Sequence, residues 1–256
     1  MFTDCPILLE DSHLLLVDKP AGLLSHPNPG AASSRNRGAF LGGYDFNEKT
    51  FETPSGRVWL LHRLDQDTSG VLMAAKDAAA AKRLRDDFDS GRIRKEYLCL
   101  VRGDPGPKGV WKDHLTLKRD GTKVRSFVLR GHPPNAELRF TRVGLSASHK
   151  VSLLRVELIT GRTHQIRVQA NSRQHPLCGD DIYGDFAWNK KMARELDSER
   201  LFLHAGRLEF RHPKSGKSIR VEAPLPQELQ GALERLGLSA SGTKKGPGTP
   251  SRRTGA

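Results

Sequence analysis

The chain has 256 residues, 36% of them hydrophobic, and a formal net charge of +13. That length supports one large domain or two small ones with a real core. The start does not read as a signal peptide, and no apolar run approaches the ~18 residues of a membrane span, which excludes a membrane-spanning helix. The basic excess favours a polyanionic partner, nucleic acid before an acidic membrane surface, because Lys and Arg that neutralise phosphates release counterions.

Residues 7–17, ILLEDSHLLLV, hold two apolar runs around a polar turn and predict a strand or hairpin leading into the loop DKPAGLLSHP. Residues 28–57 are rich in Gly, Ser, Asn and Arg without clear periodicity and read as one long surface loop. VLMAA at 71–75 is strand-like. Asp77 then reads as an N-cap, Ala80, Leu84 and Phe88 recur every four residues, and Gly91 supplies the stop, so a helix is expected over 78–90. EYLCLVRG at 96–103 predicts a strand, and 115–129 predicts a hairpin turning at Asp120-Gly121. LLRVELIT at 153–160 alternates, with Leu154, Val156 and Leu158 on one face, as a half-buried strand does. GRTHQIRVQANSRQH reads as a turn into a short basic helix, from which Arg167 and Arg173 could reach phosphates. Residues 185–202 read as a long polar connection placed to touch RNA, and LFLHAGRLEF with SIRVEA as a late hairpin. From Gly237 the chain is low-complexity and basic, so 237–256 is expected to be a disordered tail behind a domain at 1–236. The expected fold class is α+β: a mixed, largely antiparallel sheet flanked by helices and loops.

Cys5, Cys99 and Cys178 are odd in number, far apart and without a C-x-x-C pair, which fits a reducing compartment and a cytoplasmic location. His62, His164, His175 and His204 form no i, i+4 ligand pair and join no acidic cluster, so no metal is expected. There is no P-loop, no G-x-G-x-x-G, no nucleophile-elbow serine and no reactive-cysteine motif, so no nucleotide cofactor is expected either. Three segments remain as candidates for chemistry. LLHRLDQDTSG puts Asp65 at a strand end and sheet rim, where it serves either as a turn cap or partner of Arg63, or as a functional carboxylate. TGRTHQIR puts Arg162 at a strand-to-helix junction beside Gly161, either solvated or aimed across the rim. RKEYLCLVRG puts Tyr97 on a strand between basic residues, as core or as catalyst.

LLLVDKPAGLLSHP, HRLDQDTSG, KEYLCLVRG, LITGRTHQIRVQ, HPLCGDDIYG and LFLHAGRLEF occur in that order. Together, over about residues 7–225, they closely resemble the RNA pseudouridine synthases of the RluA type. The resemblance implies the pseudouridine synthase fold and isomerisation of uridine in tRNA or large-subunit (23S-type) rRNA. The enzyme would need no cofactor and no metal and would be a monomer. It implies Asp65 as nucleophile, Tyr97 stacked on the target base and transferring a proton, and Arg162 paired with Asp65. Arg63 would help displace the base, Ile166 would wall the pocket, and His62, Thr163 and Arg167 would contact base or RNA. The family's extra N-terminal RNA-binding domain is expected to be absent, leaving specificity to the 28–57 loop and the basic tail. Gln169-Ala170 replaces a common His-Leu, with an effect expected on helix packing. A catalytically silent RNA-binding protein on the same fold is the alternative. The joint presence of Asp65, Tyr97 and Arg162 speaks against it.

Overall fold

Two apolar runs open the chain and pair as an antiparallel hairpin: β1 (Ile7–Glu10) and β2 (Leu14–Lys19). Between them the Asp11 carboxylate accepts the backbone N–H groups of His13 and Leu14. The computed structural model describes residues 1–28, 38–120 and 123–240. The stretch read as one long loop holds three short strands instead, β3 (Gly43–Asp45), β4 (Thr50–Thr53) and β5 (Gly56–Leu60), joined as an antiparallel meander. Its anchors, Phe51 and Val58, are fully buried but stand among Gly, Asn and Lys, so no alternation betrays the strands. Residues 29–37 of that stretch lie outside the described residues.

β6 (Ser69–Ala75) is buried along its whole length, and α1 (Ala78–Asp89) follows with Asp77 as the expected cap, accepting from the Ala80 N–H at 2.8 Å. Next come β7 (Arg94–Arg102), β8 (Lys108–Asp113), β9 (Leu115–Asp120), β10 (Lys123–Val128), β11 (Ala136–Ser146) and β12 (Val151–Leu158). After α2 (Gln165–Asn171), the 185–202 connection proves to be mostly helix, α3 (Phe186–Leu196), capped by Asp185 and burying Met192 and Leu196. β13 (Leu203–Arg211) and β14 (Ser218–Glu222) form the expected late hairpin, and α4 (Gln227–Arg235) is a helix the sequence reading did not place.

One large sheet runs β3-β4-β5-β6-β13-β7-β12-β11-β8, with β1–β2 joined to β6 and β14 joined to β13; β9–β10 is a separate ribbon. Its central strands are covered on both faces. Leu72, Ala74, Tyr97 and Cys99 belong to one cluster, while Val71, Met73, Leu98 and Leu100 belong to clusters across the sheet, some of them under α1, α3 and α4. Strands buried twice read as unbroken apolar runs, which is why LLLV, VLMAA and YLCLV show no alternation. The α+β class and largely antiparallel sheet are as expected. The seam at the centre, β6 against β13, is parallel and short, pairing Ser69 with His204 and Gly70 with Ala205. Gly70 sits at φ +117°, and a Cβ there would lie 2.2 Å from the Ala205 carbonyl oxygen, so only glycine allows this approach.

The ordered chain continues past the expected boundary at Gly237. Gly237 (φ +66°) closes α4 as a Schellman turn: the Leu238 N–H donates to Leu233 O at 2.8 Å and the Gly237 N–H to Glu234 O at 3.0 Å. Leu238 and Ala240 pack on the cluster under α3 and α4, and Arg155 donates to Ala240 O. Residues 241–256 lie outside the described residues. A chain ending at Leu236 is expected to unfold about 2–8 °C below one ending at Ala240. Losing roughly 1–2 kcal/mol of apolar contact and hydrogen bonding costs about 2–4 °C per kcal/mol at this size. Thermal unfolding of the two truncations checks this, and equal midpoints would refute the packed boundary.

Candidate active site

A cleft of about 820 Å³ opens where the turn after β5, strand β7, the end of β12 and the start of α2 meet. Asp65 lies in that turn, which is held from behind by the segment after β2. The fully buried Lys19 donates to Gln66 O (3.0 Å), Leu23 O (2.6 Å) and Pro20 O (2.8 Å). Ser25 Oγ donates to Leu64 O and accepts the Leu64 N–H, both at 2.8 Å. The motifs DKPAGLLS and HRLD are therefore two halves of one bracket. Burial pushes the Lys19 pKa down to about 8.

The Asp65 side chain is 22% exposed and faces the cleft. Its cationic partner is Arg167, not Arg162. Arg167 Nη1 donates to Asp65 Oδ2 at 3.3 Å, while Nε and Nη2 grip Asp180 at 2.8 and 2.7 Å. Asp180 is completely buried and Arg167 almost so. Burial opposes the Arg167 charge, yet the Asp180 hydrogen bonds and the charges of Asp180 and Asp65 outweigh it and raise the pKa above its ordinary value. Arg162 stands before the helix begins, exposed, and its Nε donates to Asn135 O at 3.1 Å. Arg167 was expected to reach RNA. Its position inside the first turns of α2 points it under the cleft instead. Arg173, also expected at phosphates, is bound to Asp113 by both terminal nitrogens.

Tyr97 lies on β7, 8% exposed, with its ring at the cleft. Burial, then the Asp65 charge, raises its phenol pKa, so the group is neutral. A carboxylate, a buried Arg behind it and an aromatic wall thus share one cleft.

A family model described as RNA pseudouridylate synthase matches residues 13–172. The chain belongs to that family. It is an RNA pseudouridine synthase of the RluA type, an isomerase acting on RNA. It is 33% identical over 240 residues to the ribosomal large subunit pseudouridine synthase C of Escherichia coli (strain K12), covering 90% of this chain and 69% of that protein. It is 34% identical over 247 residues to the protein of the same name from Yersinia pestis, covering 93% and 71%. The fold matches the solved human RNA pseudouridylate synthase domain containing 4, with a TM-score of 0.66, 23% identity and 90% and 92% of the chains covered. The human domain containing 1 gives 0.61 at 24% identity, covering 88% and 84%.

Around this synthase cleft the other expected residues divide. Arg63 is exposed at the rim, and Ile166 is a buried wall, 4% exposed. Thr163 lines the cleft, and its carbonyl accepts from Ser126 Oγ at 2.6 Å, which ties the β9–β10 ribbon to the start of α2. His62 lines the cleft too, but its Nε2 accepts the Met73 N–H at 3.1 Å; burial, then Lys95, pushes its pKa to about 3, so it stays neutral.

Three participants, His164, Asp180 and Tyr183, were not assigned to the site from the sequence. His164, in the left-handed region at φ +54°, places Nε2 3.9 Å from Asp65 Oδ1. Its Nδ1 meets Tyr183 Oη at 2.9 Å, and that oxygen also accepts the Ser126 N–H. The phenol proton therefore goes to Nδ1, leaving Nε2–H toward Asp65. Burial, with Arg167 and Arg63 close by, lowers the His164 pKa. The signal for Asp180 and Tyr183 was HPLCGDDIYG, one of the motifs that carry the resemblance, to whose residues no role was assigned. Gln169 acts in packing as expected: fully buried, it donates to Asp113 at 2.6 Å and accepts from Gln165. Among the described residues no group of three or more His, Cys, Asp or Glu is placed to hold a metal ion.

Proposed function

We propose that this synthase converts uridine to pseudouridine in large-subunit ribosomal RNA, with Asp65 as the nucleophile and no metal or cofactor in the reaction. The observation that carries the reading is the Asp65 carboxylate, open to the cleft on one side and fixed on the other by Arg167. One Asp65 oxygen attacks ribose carbon 1′ as the uracil N-glycosidic bond breaks; the freed ring turns, carbon 5 attacks carbon 1′, and the carboxylate is released. Arg167 holds the carboxylate aimed into the cleft. Tyr97 offers the base a stacking face and Ile166 an apolar wall, and the enclosed floor keeps water from the detached base. Arg63 and Arg162 stand at the rim, where RNA phosphates would arrive. The protein acts as a cytoplasmic monomer in this reading. The ribosomal choice over tRNA rests on the relatives, whose names specify the large ribosomal subunit.

The test is tritium release from RNA labelled at uracil carbon 5, using large-subunit rRNA and tRNA from cells lacking the gene. Release from the rRNA alone is expected. Release from tRNA alone would overturn the substrate, and no release from either would overturn the activity.

A further inference from the structure

The fold contains two buried lysines, and they are treated differently. Lys19 spends its ammonium on three backbone carbonyls. Lys95 is 7% exposed and, among the described residues, makes no hydrogen bond and no ion pair. It lies two residues before Tyr97 on β7, on the same side of the strand, and it lines the cleft. Its Nζ would lie 3.7 Å from a Cβ on Gly161, an ordinary van der Waals distance that places the ammonium beside the turn between β12 and α2. The histidine beside it, His62, is neutral and has its Nε2 occupied. Burial lowers the Lys95 pKa with no opposite charge to offset it. The side-chain stem is buried while the ammonium opens on the cleft without a partner among the described residues, so its partner is to be sought in what enters the cleft.

We propose that Lys95 is a catalytic residue whose ammonium donates to an exocyclic oxygen of the target uracil and stabilises the charge the ring acquires as it detaches. This rests on the synthase reading with Asp65 as nucleophile. As the Asp65 oxygen bonds carbon 1′, the electron pair of the breaking C1′–N1 bond stays with the ring and spreads to O2 and O4. Lys95 hydrogen-bonds that charge without giving up its proton. When carbon 5 bonds carbon 1′, the ring spends the pair and Asp65 recovers its own; the carbon 5 proton then leaves and N1 takes one up. A donor placed beside charge that exists only during reaction is an effective form of catalysis. A backbone phosphate is the less suitable ligand, because Lys95 is deep beside Tyr97 while the exposed Arg63 and Arg162 occupy the rim.

Lys95→Met is expected to lower kcat in the tritium-release assay by about 10²–10³-fold, the usual effect of removing one such donor. KM, RNA affinity and the salt dependence of binding stay as in wild type. The thermal midpoint stays near that of wild type, since the ammonium has no partner among the described residues to lose. Lys95→Gln, which keeps a neutral donor, falls between Met and wild type in rate. A kcat for Lys95→Met within about threefold of an active wild type would overturn the proposal. So would weakened RNA binding with a salt slope shallower by about one, the mark of a phosphate contact. A wild type without turnover would instead overturn the synthase reading, and this proposal with it.

Discussion

Arg167→Lys is expected to cut kcat/KM by about 10²–10³-fold, while Arg162→Lys leaves kcat within about threefold. The wild-type guanidinium serves two carboxylates at once, with Nε and Nη2 on Asp180 and Nη1 on Asp65. A lysine ammonium is one point on a flexible stem and cannot span both. If it stays with Asp180, Asp65 loses the group that aims it. If it follows Asp65, the fully buried Asp180 keeps only the Ile182 and Tyr183 N–H groups and loses its counter-charge, which costs about 3–5 kcal/mol of stability. A loss of about 2.7–4 kcal/mol in the transition state corresponds to the stated range. Arg162 holds one backbone carbonyl from an exposed position, so a lysine there keeps its charge and its reach. Steady-state kinetics of the two variants decide between them: equal effects, or the larger effect at Arg162, would remove Arg167 from its assigned role.

Asp65→Asn is expected to abolish turnover, by at least about 10⁴-fold, as removal of a nucleophile does. RNA affinity should stay within about threefold. The amide preserves the shape and one acceptor for Arg167 Nη1 but cannot attack carbon 1′. Arg167 keeps its stronger anchor on Asp180, so the fold is retained. Filter binding and tritium release on one preparation test this. Residual turnover above about 1% of wild type, or parallel loss of binding and rate, would show Asp65 to be a binding group rather than the nucleophile.

The sequence showed the elements that carry strong local signals. Asp77 as a cap, the twice-buried strands and the late hairpin all appear where their patterns put them. It failed where the signal is non-local. Phe51 and Val58 anchor strands only because the sheet covers them, and α4 shows too short a stripe, Leu229, Ala232 and Leu233, to stand out beside a low-complexity tail. At the site, Asp65 and Tyr97 were placed in the cleft through motif resemblance, with their chemical roles left to the experiments above. The choice of arginine went wrong because the partner that decides it, Asp180, is buried through a turn thirteen residues further on, as the 167-to-180 pairing shows. A junction arginine and a helix arginine look alike until that carboxylate is located. Lys19 and Lys95 were not singled out, although both prove to be buried.

The short parallel seam between β6 and β13 also bears on how the molecule comes into being. Ser69 Oγ and His204 Nδ1 lie 2.9 Å apart across 135 positions of chain, directly after the turn that carries Asp65. Loop-closure entropy must be met before contacts of that range return anything, so folding of this sheet belongs to the slow class, of order milliseconds to seconds. On the ribosome the Asp65 turn emerges early but meets its final neighbour only after about four-fifths of the 256 residues have been made. A nascent chain therefore carries the Asp65 turn before the strand that completes the seam exists, and the cleft closes only once β13 has been made.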